Sequence, residues 1–155
     1  MTNMKNTLKF WIIMVMAALS LALTSCENYP EGVPSFYSSE YRIVGTWQVS
    51  HVYLNGEEVD STGYAAYEVG TYYFMYPDHV MSVKAYRNGE WRETIFANYI
   101  LDPKNKTIDM SFTLMDKNYT ILGDVKRLSR KEFFFEFDDP YGDHWRLELF
   151  SRSSY

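Results

Sequence analysis

From Tyr41 onward the sequence predicts an all-β fold, closed as an eight-stranded antiparallel up-and-down barrel, and three observations lead there. Short segments rich in Val, Ile, Thr, Tyr, Phe and Trp recur along the chain, a composition that suits pleated, half-buried strands. Turn residues punctuate them: Asn55-Gly56, Pro77-Asp78, Asn88-Gly89, Asp102-Pro103, Asp116-Lys117-Asn118 and Asp139-Pro140-Tyr141-Gly142. These supply the positive or fixed φ that tight reversals need. Several segments also alternate apolar with polar side chains, as strands with one dry and one wet face must. Consecutive hairpin-linked strands leave two open edges unless the sheet closes, and closure makes a barrel.

The first strand is read over 42–54, ending at Asn55-Gly56, and 60–69 lacks alternation and holds at most a short helical turn. Strands two and three, 70–76 and 79–87, are separated by Pro77-Asp78, and the fourth, 90–101, follows Asn88-Gly89. The fifth, 106–114, shows the pattern most clearly: Ile108, Met110, Phe112 and Leu114 share one face, and Thr107, Asp109, Ser111 and Thr113 the other. The sixth, 119–128, precedes the seventh, 131–138, which groups Phe133, Phe135 and Phe137. In the eighth, 144–152, Trp145, Leu147 and Leu149 oppose Arg146, Glu148 and Arg152.

Ahead of the barrel lies a different text. Lys5 and Lys9 precede an apolar run over 10–23, too short to cross a bilayer, which takes roughly 20 apolar residues. Leu23-Thr24-Ser25-Cys26 follows, and Cys26 is the one cysteine of the chain. This tetrapeptide resembles the bacterial lipobox. The resemblance implies a lipoprotein signal peptide over 1–25, cleavage before Cys26 and acylation of its sulfur, which would moor the chain to the cell envelope of a bacterium, in the outer membrane. A lipidated N-terminus and flexible tether are expected over 26–40, where Pro30, Gly32 and Pro34 interrupt any apolar period. Fully extended, the stretch 27–39 would reach roughly 40 Å. The domain 41–155 has the size of a single compact unit. Loss of Lys5 and Lys9 makes a chain of net charge −5 still more acidic, which argues against nucleic acid as a partner and against electrostatic binding to anionic membranes. With Cys26 acylated no thiol remains for a disulfide.

Gly45-Thr46-Trp47 on the first strand, Asn55-Gly56 after it and Trp145-Arg146-Leu147-Glu148-Leu149-Phe150-Ser151-Arg152 at the end resemble a lipocalin-like domain, and in particular the short lipocalin-like lipoproteins of Gram-negative envelopes. In that family the tryptophan closes the barrel floor and an arginine near the end of the last strand packs over it. The resemblance therefore implies a structural barrel closure made by Trp47 and Arg152, with Arg146 as second candidate, through a cation–π contact of about 0.5 to 2 kcal/mol. The long C-terminal helix of secreted lipocalins is not expected after Arg152.

No catalytic frame stands out. The histidines His51, His79 and His144 lack the short spacing of zinc ligands. Asp138, Asp139 and Asp143 surround a turn, where Asp is an ordinary residue, without the ladder of a calcium loop. Asp109 and Glu136 could face one another across strands, yet both belong to the wet face. Neither a metal nor a cofactor is expected, and the chain does not read as an enzyme. What stands out is the aromatic content, with 14 Tyr, 10 Phe and 4 Trp. Such rings fill a small barrel, or they line a site for an apolar or amphipathic ligand. An eight-stranded barrel has room for either. The ligand-binding positions expected at the wide mouth are Tyr72, Phe74, Tyr99, Phe112 and Phe135. The leading expectation is an envelope lipoprotein that binds a small hydrophobic or amphipathic ligand. The alternative is a filled barrel that docks another envelope protein.

Overall fold

Alternation does close the sheet. A computed structural model of the chain describes residues 29–32, 34–60, 65–87, 90–114 and 117–152. The expected signal peptide over 1–25, Cys26 and the Asn88-Gly89 turn lie outside the described residues. A short helix α1 (Ser39–Ile43) leads into strands β1 (Gly45–Leu54), β2 (Glu57–Glu58), β3 (Tyr72–Met75), β4 (Val80–Arg87), β5 (Glu90–Asp102), β6 (Thr107–Leu114), β7 (Lys117–Leu128), β8 (Glu132–Asp138) and β9 (His144–Ser151). Every neighbouring pair is antiparallel, and β1 also pairs with β9, from Trp47 opposite Ser151 to Leu54 opposite Trp145. Eight strands thus form the closed cylinder, and the two-residue β2 is a hairpin extension of β1 beyond the reach of β3.

The turn chemistry agrees with this path. Asn55 and Gly56 both adopt positive φ, 53° and 85°, the combination that matches the twist of a two-residue hairpin. The expected helical turn within 60–69 is a 3₁₀ turn, Ala65–Tyr67.

The inner faces of β6, β8 and β9 are those the alternation predicts: Ile108, Met110, Phe133, Phe135, Phe137, Trp145, Leu147 and Leu149 are all buried. Three β-bulges interrupt the alternation elsewhere. In β1 a register shift between Val49 and His51 turns Val52 inward after Trp47 and Val49. In β7 the shift between Val125 and Arg127 does the same for Leu128, and Lys126 is left without a partner across the ladder, as the extra residue of a bulge is. Gly123 answers another need. A Cβ there would lie 3.2 Å from the Phe135 ring and 3.3 Å from the Glu136 carbonyl oxygen, so the bare backbone makes room for the central phenylalanine of β8.

Two expectations are corrected at the N-terminal side. Residues 42 and 43 belong to α1 and not to the first strand. Ser38 caps this helix, its Oγ accepting from Tyr41 N at 3.3 Å, and the cap competes successfully with an extended conformation. Nor is the expected flexible tether free along its described length. Tyr29 is only 3% exposed and donates its hydroxyl to Ser39 Oγ at 2.8 Å. The backbone N–H of Glu31 donates to the Lys126 carbonyl at 2.8 Å, the group freed by the β7 bulge. A single aromatic anchor and a single backbone bond leave no periodic mark in a sequence.

Candidate functional site

The two ends of the barrel differ. At the end where β1 starts and β7 stops, helix α1 plugs the cylinder. Trp47 is buried, donates its indole N–H to the Ile43 carbonyl at 2.7 Å and meets the Phe133 ring edge-on at 5.8 Å. Trp47 therefore lies at the end of the cylinder that α1 covers. Arg152 does not take the role assigned to it: its side chain is exposed and donates to Gln48 Oε1 at 2.6 Å, on the strand face opposite Trp47. Arg146 is also outside, on the outer face of β9. The buried arginine is Arg42 on α1. Its Nη1 donates to the Leu128 carbonyl, its Nη2 to Ser39 Oγ at 3.0 Å, and its guanidinium lies 5.3 Å from the centre of the Tyr29 ring. The alternation places residue 42 on a strand and carries no signal of its helical position at the mouth of the cylinder.

At the opposite end the core is incomplete. A cavity of about 30 Å³ is bounded by Tyr73, Met81, Val83, Ile95, Ala97, Met110, Phe112, Ile121, Phe135 and Phe137, with Ala66 and Tyr67 of the 3₁₀ turn over it. The walls are almost wholly apolar, and the free space suits about one or two water-sized groups. The turn is held by two kinds of contact. Tyr73 donates its hydroxyl to the Ala66 carbonyl at 2.8 Å, and the Tyr67 ring packs 5.3 Å from Phe137 and 5.2 Å from Trp145. Burial pushes the Tyr73 hydroxyl well above its usual pKa, so it stays a neutral donor throughout the physiological range.

The five positions expected to bind ligand divide. Phe112 and Phe135 border the cavity, and Phe135 is stacked between Phe133 and Phe137 at 5.1 and 5.9 Å. Tyr99 points inward as expected, but toward the plugged end, where it donates to the Tyr76 carbonyl at 2.7 Å. Burial lifts its hydroxyl to about 12. Tyr72 and Phe74 face outward, which corrects their inward assignment: Tyr73 sits opposite Trp47 and Met75 opposite Gly45, and residues directly opposite in a ladder share a face. The run Tyr72-Tyr73-Phe74-Met75 is apolar throughout, so alternation could not choose between its faces. The register from Trp47 could have. On the outside Tyr72 and Phe74 stack at 6.2 Å, with Lys84 Nζ 5.2 Å from the Phe74 ring.

The polar clusters settle into local roles. His51 Nδ1 lies 2.6 Å from Glu58 Oε1, His144 Nδ1 lies 2.7 Å from Asp138 Oδ1, and His79 packs on the Tyr99 ring. Asp139 accepts from the backbone N–H groups of Tyr141 and Asp143 and from the Trp145 indole, which makes it the organiser of its own turn. Asp109 and Glu136 do not face each other, because β7 runs between their strands. Glu136 pairs instead with Arg146 at 3.0 Å and Lys126 at 3.1 Å.

Arg146 is the hub of the outer wall. It contacts Glu148 at 2.7 Å as well as Glu136, and it grips Glu31 through two hydrogen bonds of 2.7 Å each. The two-pronged geometry suits a guanidinium and a carboxylate. It pins the N-terminal segment a second time, next to the bond from Glu31 N. The Arg146 hydrogen bond holds the Glu31 carboxyl below its ordinary value of 4.5. A depressed carboxylate contributes its stabilisation in full above the unfolded pKa and loses it as pH falls through the folded one. The latch is therefore expected to hold at neutral pH and to release once the solution drops below the ordinary carboxylate range. Limited proteolysis of the 29–32 segment between pH 7 and pH 3 measures this: cleavage should rise in acid in the native protein and be raised already at pH 7 in Glu31→Gln.

A scan of protein-family models finds no match to the chain, and a search of curated proteins finds none either.

Proposed function

We propose that the protein is an envelope-anchored, lipocalin-like lipoprotein, moored through acylated Cys26, that binds a small hydrophobic or amphipathic ligand without catalysis. The observation that carries this reading is the asymmetry of the core. One end is packed solid by α1, Arg42 and Trp47, while the other keeps an apolar void beneath a short turn. The walls offer a ligand shape and dispersion contact but no group placed for bond making. In the conformation described, the void is far below the roughly 300 Å³ at which ligand pockets begin. Uptake then requires the Ala65–Tyr67 turn to swing away, with loss of the Tyr73 hydrogen bond and of the Tyr67 ring contacts. The ligand's apolar area, at about 25 cal/mol per Å² removed from water, offsets that loss.

Displacement of an environment-sensitive dye from the purified protein, with native mass spectrometry alongside, tests the reading. Ala97→Leu fills the void from the wall and is expected to abolish dye binding. Equal binding by Ala97→Leu and the native chain would remove the cavity from consideration.

A second reading is favoured by a separate observation. Phe96, Ile100 and Leu122 are 72, 67 and 65% exposed on the outer wall of β5 and β7, with Asp109 of β6 paired between Ile100 and Leu122. Such a patch suits a filled barrel that docks another envelope protein. Leu122→Asp would then abolish recovery of a stoichiometric partner from solubilised membranes while leaving dye binding intact.

A further inference from the structure

The docking of Tyr29 shortens the distance between barrel and lipid. Cys26 precedes it by three residues, and a chain advances at most about 3.3 to 3.6 Å per residue, so roughly 10 Å of backbone at full extension separates the expected acylation position from the docked residue. A freely extended tether would have allowed roughly 40 Å for thirteen residues. The plugged end of the barrel is thus tied close to whatever surface holds the acyl chains.

That same end carries an aromatic rim. Phe36 is 97% exposed, and Tyr37 and Tyr41, both more than half exposed, stack on each other at 5.3 Å. Arg130, in the turn between β7 and β8, lies 5.5 and 5.6 Å from the centres of those two rings. Tyr76, in the turn after β3, is exposed on the same end. Tyrosine favours the lipid headgroup layer, where its ring is half wet and its hydroxyl is hydrated. A guanidinium stacked on rings brings a positive charge to the level of those rings. Exposed Glu40 and Asp78 beside these rings hold the contact at headgroup depth, since a carboxylate does not enter hydrocarbon cheaply.

We infer that the rim of Phe36, Tyr37 and Tyr41, with Arg130, rests in the headgroup layer of the membrane that holds the anchor. The barrel then stands with its plugged end on the bilayer and its cavity end turned to the aqueous compartment. The inference rests on the reading of Cys26 as acylated. Its consequence for ligand capture is that the ligand arrives from the aqueous side, not by lateral entry from the lipid.

Hydroxyl-radical labelling of the full chain, processed in a Gram-negative host and reconstituted in phosphatidylethanolamine and phosphatidylglycerol vesicles, tests it. Tyr141, 85% exposed at the cavity end, and Phe96 on the wall are internal standards. The expected result is labelling of Phe36, Tyr37 and Tyr41 several-fold slower than of those standards. Equal labelling, with an acyl mass on the Cys26 peptide, would overturn the rim contact and leave the anchor standing. A Cys26 peptide without acyl mass would overturn both.

Discussion

Arg42→Ala is expected to cost about 3 to 5 kcal/mol of folding stability, the range for removal of one member of a buried polar assembly. The Leu128 carbonyl and Ser39 Oγ would lose a charged donor in a buried setting, and the Tyr29 ring would lose the cation it faces. The plug and the docked N-terminal segment share this one side chain, so both loosen together. Arg152→Ala, by contrast, removes an exposed contact to Gln48 and should cost within about 1 kcal/mol. Paired urea denaturation curves of the two variants measure the difference directly. A larger loss in Arg152→Ala than in Arg42→Ala would return the closure of the floor to the last strand.

Phe135→Ala is the second large effect. The ring is fully buried, stacked between Phe133 and Phe137, and pressed onto the bare backbone of Gly123. Truncation of a buried phenylalanine costs about 3 to 5 kcal/mol, with the spread set by how far the surroundings collapse. Here collapse is limited, because the void it creates joins the cavity already beneath the Ala65–Tyr67 turn. The enlarged space is apolar and should stay dry. Addition of benzene or xenon is therefore expected to raise the melting temperature of Phe135→Ala well above its ligand-free value and to leave that of the native protein nearly unchanged. A variant that gains nothing from either gas or solvent would mean that the walls had closed in.

What the sequence could reveal was set by where a regular period governs. β6, β8 and β9 each place apolar side chains at every second residue, so their inner faces, the closure of the sheet and Phe112 and Phe135 at the cavity were all legible. The alternation alone assigned no particular place to Trp47. β3 was not legible, because four apolar residues in succession carry no phase, and only their register against β1 decides that Tyr73 and not Tyr72 looks inward. The bulges in β1 and β7 were equally hidden: each shifts the phase by one residue without any local oddity in composition. The docking of Glu31 depends on partners more than ninety residues away, Lys126 and Arg146, and a contact of that range leaves nothing to read in its own neighbourhood. The plugging arginine was missed for a related reason. α1 is one turn long, and a cap by Ser38 outweighed the β-rich text that follows it.

The pairing of β1 with β9 sets a condition on how the molecule is made. A nascent cylinder has two raw edges until its final strand has been synthesised and threaded home, and loop-closure entropy slows a join between the two extremities of a fold. During that interval the bare N–H and C=O rows invite pairing with a neighbouring copy. Substitutions along the seam, such as those at Val52 or Leu147, should therefore betray themselves as lower yield and clumping before they register as a lower melting point.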